Sequence, residues 1–284
     1  MKEDIHVGGQ AVIEGVMMRR QNTVCIAVRK PNGKIKVKKE KIKSINEKYK
    51  WLKWPFFRGV INMYEMLAIG MRALTYSAEQ QATKKEEKIT KKESIISIII
   101  AILLTILLFI LVPLFLTKLL IKGQGILFNL VDGIIRIIIF ISYIYLISRI
   151  RDVERIFQYH GAEHKAVNCY ENNKKLTPEN CNKYTTVHAR CGTSFLLFVL
   201  IVSVLIFSLI THPNFFMKFF GRLLLLPVIV GISYELLKLS SRFRDNKVMK
   251  VIVWPGLFLQ KITTKNPTKK QLEVAIAALK NVAG

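Results

Sequence analysis

Residues 94–120 read SIISIIIAILLTILLFILVPLFLTKLL, a run in which Lys118 is the single charged residue. A helix needs about 20 apolar residues to cross a hydrocarbon core of about 30 Å, and this run is longer than that. Pro113 is predicted to kink the helix or to break it near its outer end, because its ring interrupts the backbone hydrogen bonding. The run therefore predicts an integral membrane protein.

Three further apolar segments follow, at residues 126–150, 194–211 and 219–239. With the first run they predict a mainly α-helical integral membrane protein, with about four transmembrane helices bundled over residues 94–241. Asp132 and Arg136 lie four residues apart in the second segment, so they are predicted to pair on one helix face. Charges at this depth usually face a bundle interior, which favours a structural role over a proton path.

The distribution of charge predicts how these helices are oriented. The chain of 284 residues has 44 Lys and Arg against 19 Asp and Glu, a net charge of +25, although its mean hydropathy is +0.30. Lys and Arg are dense before the first apolar segment, between the second and the third, and after the fourth. The positive-inside rule then places both termini and the loop at 151–193 in the cytoplasm, facing anionic lipid. The alternative explanation of the charge is binding to nucleic acid.

Residues 1–93 are predicted to form a small, basic cytoplasmic region of α+β type. Residues 23–29 and 35–42 flank the turn Pro31-Asn32-Gly33-Lys34, which predicts a β-hairpin with one wet, basic face. Apolar residues at helical spacing predict an amphipathic helix at 58–81. Because Trp51 and Trp54 lie beside a lysine just before it, this helix is predicted either to lie on the bilayer surface or to pack into an ordinary core.

Residues 242–284 are predicted to form a cytoplasmic or interfacial tail. The apolar run at 248–260 is too short and too interrupted to cross the bilayer, so it is predicted to dip into the membrane or to lie on it. Residues 271–282 have apolar side chains on one side and predict a terminal helix. Thr268 and Gln271 have the spacing of a capping box, which predicts where that helix begins.

The chemistry is concentrated in the polar loop at 151–193, which holds three of the five histidines and three of the four cysteines. Its first motif is His160-Gly161-Ala162-Glu163-His164. On a helix His160 and His164 share a face and can bind one metal ion, and Glu163 can hold or deprotonate a water on that metal. The order His-x-x-Glu-His is that of inverzincin proteases. The alternative is a pair of surface histidines on a helix.

A second pair, His188 and Cys191, completes the predicted metal centre. Imidazole and thiolate ligands favour zinc or another divalent transition metal over magnesium. Two histidines with one member of this pair would give three ligands and an open position, as in catalytic zinc, whereas four ligands would indicate a structural site. Cys191 and His188 could also form a nucleophile and its base, although no orienting partner is recognisable.

Two glutamates outside the loop are further candidates for the centre. Glu14 lies in a glycine-rich apolar run and could add a carboxylate, or could pair locally with an arginine at residues 19–20. Glu235 lies near the cytoplasmic end of the fourth predicted span. It could face the same centre, or could pair with Lys238 or Arg222.

Several motifs, spread over nearly the whole chain, carry a resemblance to a known family. They are GGQAVIEGVMMR at 8–19, YHGAEHK at 159–165, RCGTSF at 190–195, GISYE at 231–235 and the tail from Pro255 to Leu279. In these motifs the chain resembles the YqhQ-like family of bacterial membrane proteins of unknown function. Such proteins are described as predicted metal-dependent enzymes without an assigned reaction. The resemblance therefore implies a bacterial cytoplasmic-membrane protein with a metal centre, and it implies no substrate.

Three functions are expected from these features. The first is a zinc-type membrane enzyme with hydrolytic chemistry at the cytoplasmic face, in which Glu163 is the general base and the substrate is lipid-linked or a membrane protein. The second is a non-enzymatic scaffold or biogenesis factor with a structural metal, whose basic hairpin docks on the ribosome or another acidic partner. The third is a transporter, which is favoured less because the chain shows no internal repeat.

Overall fold

The computed structural model describes residues 7–82, 90–123, 125–188, 191–210, 214–243 and 246–283. Within these residues the chain is mostly helical, and its strands lie in the N-terminal region. The strands are β1 Val7–Val12, β2 Gly15–Arg20, β3 Thr23–Arg29 and β4 Ile35–Lys41. The helices are α1 Ile45–Lys48, α2 Phe57–Gln81, α3 Lys91–Ile106, α4 Val112–Leu120, α5 Ile126–Ile147, α6 Arg151–Glu171, α7 Pro178–Asn182, α8 Gly192–Ser208, α9 Phe215–Arg242, α10 Lys247–Thr263 and α11 Lys269–Ala283.

The four strands form one antiparallel sheet in which each strand pairs with the next along the chain. The predicted hairpin is confirmed, because β3 pairs with β4 from Thr23 opposite Lys41 to Arg29 opposite Ile35. β1 and β2 have no counterpart in the sequence-based prediction, since the glycines of residues 8–15 lower strand propensity. One of these glycines is needed for packing, because a Cβ on Gly15 would lie 2.3 Å from the carbonyl oxygen of Ala27.

Helices cover both faces of the sheet, which corrects the prediction of a hairpin with one wet face. In β3, Cys25 and Ala27 pack toward α6 and α11. The alternate side chains of the same strand, including Val24 and Ile26, pack against α2. The lysines of the sheet all belong to β4, where they are exposed, among them Lys36. The hairpin alone could not reveal this burial, because the covering helices come from distant parts of the chain.

Three helices among the described residues are long and apolar enough to cross a membrane: Ile95–Leu120, Ile126–Ile147 and Phe216–Ser240. In the first of them a π turn at Leu107–Leu111 joins α3 to α4 directly before Pro113. Proline has no N–H to donate and its ring crowds the preceding turn, so the widened turn accommodates it without ending the helix. The predicted irregularity is thus a local bulge within one continuous helix of spanning length.

The remaining predicted span is a shorter apolar helix. α8 has 17 residues, or about 25 Å at 1.5 Å per residue, which is less than the thickness of an average hydrocarbon core. The predicted end of this span, Thr211, lies outside the described residues. The structure therefore contains three helices of spanning length and one shorter apolar helix packed between α5, α9 and α10.

Buried charges join two of the long helices. Arg136 Nη2 donates to Asp132 Oδ2 at 2.5 Å, so the predicted pair is present. Arg222 of α9 donates to the other carboxylate oxygen at 2.9 Å. All three side chains are at most 4% exposed, and both guanidinium groups lie over the ring of Phe207. One carboxylate therefore ties α5 to α9 through two arginines.

The tail contains two regular helices. α10 runs without a break through Pro255, in contrast to the interrupted run that the sequence suggests. It packs along α8, and a Cβ on Gly256 would lie 3.0 Å from the Ser194 hydroxyl oxygen. α11 begins with the predicted capping box, in which the Thr268 and Gln271 side chains each accept a hydrogen bond from the other residue's backbone N–H. α11 packs against α6 and the sheet.

Candidate metal centre

α6 positions two imidazole rings beside the end of α10 and the start of α8. One face of α6, which includes Tyr159, Ala162 and Cys169, is buried against the sheet and α11. A different face presents His160 and His164, whose ring centroids are 4.4 Å apart. Gly161 allows the chain that links α10 to α11 to approach, because a Cβ there would lie 2.0 Å from the Lys265 carbonyl oxygen. The helical arrangement predicted from the His-x-x-Glu-His spacing is confirmed.

Backbone carbonyl groups fix the orientation of both rings. His160 Nδ1 lies 2.9 Å from the carbonyl oxygen of Thr263, and His164 Nδ1 lies 2.5 Å from that of Thr186. A carbonyl oxygen only accepts hydrogen bonds, so each Nδ1 is the protonated nitrogen of the neutral ring. Each Nε2 then carries the lone pair with which the ring can bind a cation. Histidines that bind metals are usually held by the same kind of hydrogen bond from the opposite nitrogen.

Cys191 is the third group of the cluster. Its Sγ lies 3.2 Å from His160 Nε2, and the ligand atoms of His160, His164 and Cys191 all lie within 4.8 Å of one another. Cys191 is the N-cap of α8, and the backbone N–H of Thr193 donates to its sulfur at 3.3 Å. Two nitrogens and one sulfur at these separations fit the donor set of a zinc-type ion.

Glu163 is buried beside this cluster. Its Oε2 lies 3.4 Å from His164 Nε2, and its side chain lies close to Gly9 of β1, where a Cβ would be 3.2 Å from Oε1. Burial raises the pKa of the Glu163 carboxyl above its ordinary value, and the nearby His160 opposes this shift. Burial also lowers the pKa of His164, which keeps that ring neutral and able to bind a cation. A carboxyl group with a raised pKa beside two imidazoles is suited to accepting a proton.

Comparisons with known proteins show which family the chain resembles in sequence. Residues 54–284 match the family described as "Protein of unknown function (DUF1385)". The chain belongs to this family. It is 35% identical over 284 residues to the "Uncharacterized protein YqhQ" of Bacillus subtilis (strain 168). The aligned region covers 95% of this chain and 89% of the relative. No solved structure matches the chain.

The matched region of this family member contains the whole His-His-Cys cluster as well as Glu163, since residues 54–284 extend from before α2 to the C-terminus. Neither the family description nor the name of the relative states a reaction or a ligand.

His188 lies next to the cluster rather than in it. Its ring centroid is 5.8 Å from that of His164, and its Nε2 is 3.4 Å from a carboxylate oxygen of Glu171. Its backbone is clamped by Gln260 of α10, which accepts from the N–H of His188 and donates to its carbonyl oxygen, each at 2.9 Å. Of the two alternatives that the sequence offers for the third ligand, the structure brings Cys191 to the two histidines.

The two additional glutamates lie away from the centre. The Glu14 carboxylate pairs with Arg155 and accepts a hydrogen bond from the Tyr159 hydroxyl at 3.1 Å, so it joins the first hairpin to α6. Glu235 pairs with Arg58, whose Nε lies 2.7 Å from Oε1. Both glutamates form their ion pairs with arginines more than 100 residues away, and Lys238 acts on Glu235 only as a weaker, nearby charge.

Sequence reasoning missed three groups that hold the site in place: the carbonyl groups of Thr186 and Thr263, and the amide of Gln260. Every residue has a carbonyl group, so its use as an acceptor leaves no sequence signal. Gln260 ends the apolar run at 248–260 and is followed by Lys261, so in the sequence it resembles an ordinary polar end of that run.

Proposed function

We propose that the chain is an integral membrane protein with a divalent metal centre at the cytoplasmic face, and that this centre catalyses hydrolysis. The observation that carries the proposal is the orientation of His160 and His164. Both Nδ1 atoms are engaged by carbonyl oxygens, His160 Nε2 lies 3.2 Å from the Cys191 sulfur, and both rings form one cluster with that sulfur. His160 is half-buried and His164 is buried, and two histidines packed only for stability have no need of this shared arrangement around a thiol.

Charge supports the orientation in the membrane. The connection at 121–125 contains one lysine and that at 209–214 contains no Lys or Arg, whereas residues 151–191 contain seven. The positive-inside rule therefore favours a cytoplasmic location for α6, the sheet and α11. α5 leads directly into α6, and α8 begins at Cys191, so the cluster lies where two apolar helices meet the polar domain.

The residues of the cluster have separate roles in the proposed reaction. His160, His164 and Cys191 would hold the ion, with zinc the preferred candidate for this donor set. The chemistry supplied by a divalent ion at these residues would be to lower the pKa of a water and to polarise an acyl or phosphoryl oxygen. Glu163 accepts the proton that the attacking water loses, and later returns it to the leaving group. Three protein ligands leave a position for substrate, as in catalytic zinc sites.

The location of the centre favours a membrane-associated substrate. Cys191 directly precedes the apolar helix α8, and the Thr263 carbonyl that orients His160 belongs to α10, which packs along α8. A lipid-linked molecule or the juxtamembrane part of a membrane protein can reach a group at this level. A freely soluble substrate gains nothing from such a location.

Cobalt spectroscopy tests the proposed ligand set. The protein with Co²⁺ added is expected to show thiolate-to-metal charge-transfer absorption in the near ultraviolet and the strong visible bands of a low-coordinate ion. Cys191→Ala is expected to lose the charge-transfer band. Cys181→Ala is the matched control, because Cys181 is also buried but packs in the core between α6 and α11. An identical charge-transfer band in the Cys191→Ala protein contradicts the ligand set.

A non-enzymatic scaffold is the second candidate, and the exposed lysines of β4 favour it. Lys36, Lys38 and Lys39 are exposed on an edge strand, where they could contact the ribosome or another acidic partner with salt-sensitive affinity. Edge-strand lysines also prevent aggregation without any partner. The buried carboxylate of Glu163 beside the metal ligands therefore makes the enzyme the preferred function.

A further inference from the structure

All three tryptophans of the chain lie on the surface, although tryptophan is usually well buried. Trp51, Trp54 and Trp254 are 53%, 65% and 64% exposed. Trp51 and Trp54 precede α2, and exposed apolar side chains continue along that helix at Phe57, Tyr64 and Leu67. These five residues are called the α2 stripe. The spacing of 57, 64 and 67 places them on one side of the helix.

The α2 stripe lies beside the cytoplasmic end of a candidate membrane span. The Phe56 ring packs on Gly231 of α9, where a Cβ would lie 2.4 Å from the ring. Asn62 donates to the Tyr234 hydroxyl at 2.7 Å. Both α9 residues fall within the span Phe216–Ser240. Tyr234 lies six residues before the C-terminal end of this span, so the segment that continues from this contact lies toward the cytoplasmic surface if the span is inserted.

α10 has a second exposed stripe formed by Val251, Trp254 and Phe258. Val251 is 73% exposed and Phe258 is 51% exposed, and the rings of Trp254 and Phe258 stack with centroids 5.9 Å apart. Lys261 extends over the Phe258 ring. Apolar and aromatic side chains on one face with lysines at the margin are typical of a helix that lies in the headgroup region.

The buried side of α10 belongs to the metal centre. Its Thr263 carbonyl orients His160, and Gln260 holds the backbone of His188. One face of α10 thus carries the exposed aromatic stripe, and its inward face contacts the residues of the cluster. Displacement of α10 from its position would move the acceptor that orients His160.

We propose that the α2 stripe and the α10 stripe dock together on the cytoplasmic leaflet of the bilayer, and that this docking holds the metal centre at headgroup depth. The molecule that contacts both stripes is phospholipid. Continuity with the flank of α9 and the lysines beside the aromatic rings support lipid over a protein partner. The proposal rests on the proposed insertion of the spans, and its lipid contact does not depend on which reaction the centre catalyses.

Quenching by brominated lipids tests this contact. Each tryptophan is kept alone in turn, with the other two changed to Phe, and the protein is reconstituted into phosphatidylcholine vesicles with bromine at a shallow or a deep acyl position. We expect all three to lose most of their emission with shallow bromine and less with deep bromine. In a tryptophan-free background, Leu103→Trp in the apolar α3 reports insertion, and Lys280→Trp on α11 reports a site away from lipid.

The controls separate the possible failures. If the native tryptophans behave like the Lys280→Trp reporter while Leu103→Trp is quenched, the spans are inserted and the stripes do not contact lipid, which overturns the proposal. If Leu103→Trp is also unquenched, the insertion in the proposed function fails as well. Quenching that is stronger with deep bromine at all three sites contradicts the headgroup depth.

A charge on the α10 stripe tests the connection to the centre. Val251→Asp is expected to reduce quenching of Trp254 and to lower zinc affinity of the vesicle-bound protein about ten-fold, as the loss of support for a ligand does. Lys250→Gln, a change at a neighbouring exposed residue, is the control. Unchanged zinc affinity in a Val251→Asp protein that has lost Trp254 quenching overturns the coupling between docking and the centre.

Discussion

Asp132→Asn is expected to destabilise the helix bundle by about 3–5 kcal/mol, because it leaves two buried guanidinium groups without their counter-charge. The Asp132 carboxylate accepts from Arg136 at 2.5 Å and from Arg222 at 2.9 Å, and all three side chains are almost fully buried. Asparagine is nearly isosteric, so the loss is electrostatic rather than a packing defect. The measurement is the free energy of unfolding of the purified protein in detergent.

Two further variants determine whether charge is the cause. Asp152→Asn changes an exposed carboxylate at the start of α6 and is expected to leave stability unchanged. Replacement of Asp132, Arg136 and Arg222 together by leucine is expected to recover most of the lost stability, since apolar residues often substitute for a complete buried ion network. Equal stability of Asp132→Asn and the wild-type protein would show that the network contributes little.

Glu163→Gln is expected to lower the rate of the proposed hydrolysis by about 10²–10⁴-fold, the usual contribution of a general base. Glutamine has the same shape but cannot accept the proton, so metal content and unfolding temperature are expected to stay as in the wild type. The readout is untargeted mass spectrometry of lipids and peptides in membranes from cells with the wild-type protein, with the variant, or without the protein. We expect the variant and the deletion to accumulate the same substrate.

Glu154→Gln is the matched control for this experiment, because it changes an exposed carboxylate on the same helix. The lipids and peptides in membranes from cells with the Glu154→Gln protein are expected to match those from cells with the wild-type protein. If membranes of the Glu163→Gln cells also match the wild type while those of the deletion differ, Glu163 performs no proton transfer. That outcome favours the scaffold with a structural metal.

Local sequence signals predicted much of the fold. The three long apolar helices, the β3–β4 hairpin and the capping box of α11 each depend on side chains close together in the chain. The sheet as a whole was harder to predict, since the glycines of residues 8–15 have low strand propensity and function through close packing. The burial of β3 on both faces depends on α2, α6 and α11, which contact it from far along the chain.

In the candidate site, too, the local features were predictable from the sequence and the long-range contacts were not. Residues four apart on a helix share a face, so His160 and His164 could be paired from the sequence alone. The choice between His188 and Cys191 depended on the path of the loop, which Gln260 fixes from 72 residues away. Glu14 and Glu235 were assigned local partners or a place in the centre, but their arginine partners lie 141 and 177 residues away in sequence. Long-range ion pairs have no local signal.

Metal analysis of the purified protein tests the central claim most directly. The wild-type protein, isolated without chelators and incubated with zinc before excess ion is removed, is expected to retain about one equivalent of zinc per chain, as a site with three such ligands does. The His160→Ala/His164→Ala protein is expected to retain essentially none while remaining folded in detergent. A wild-type protein that holds no more zinc than the double variant would contradict the metal centre.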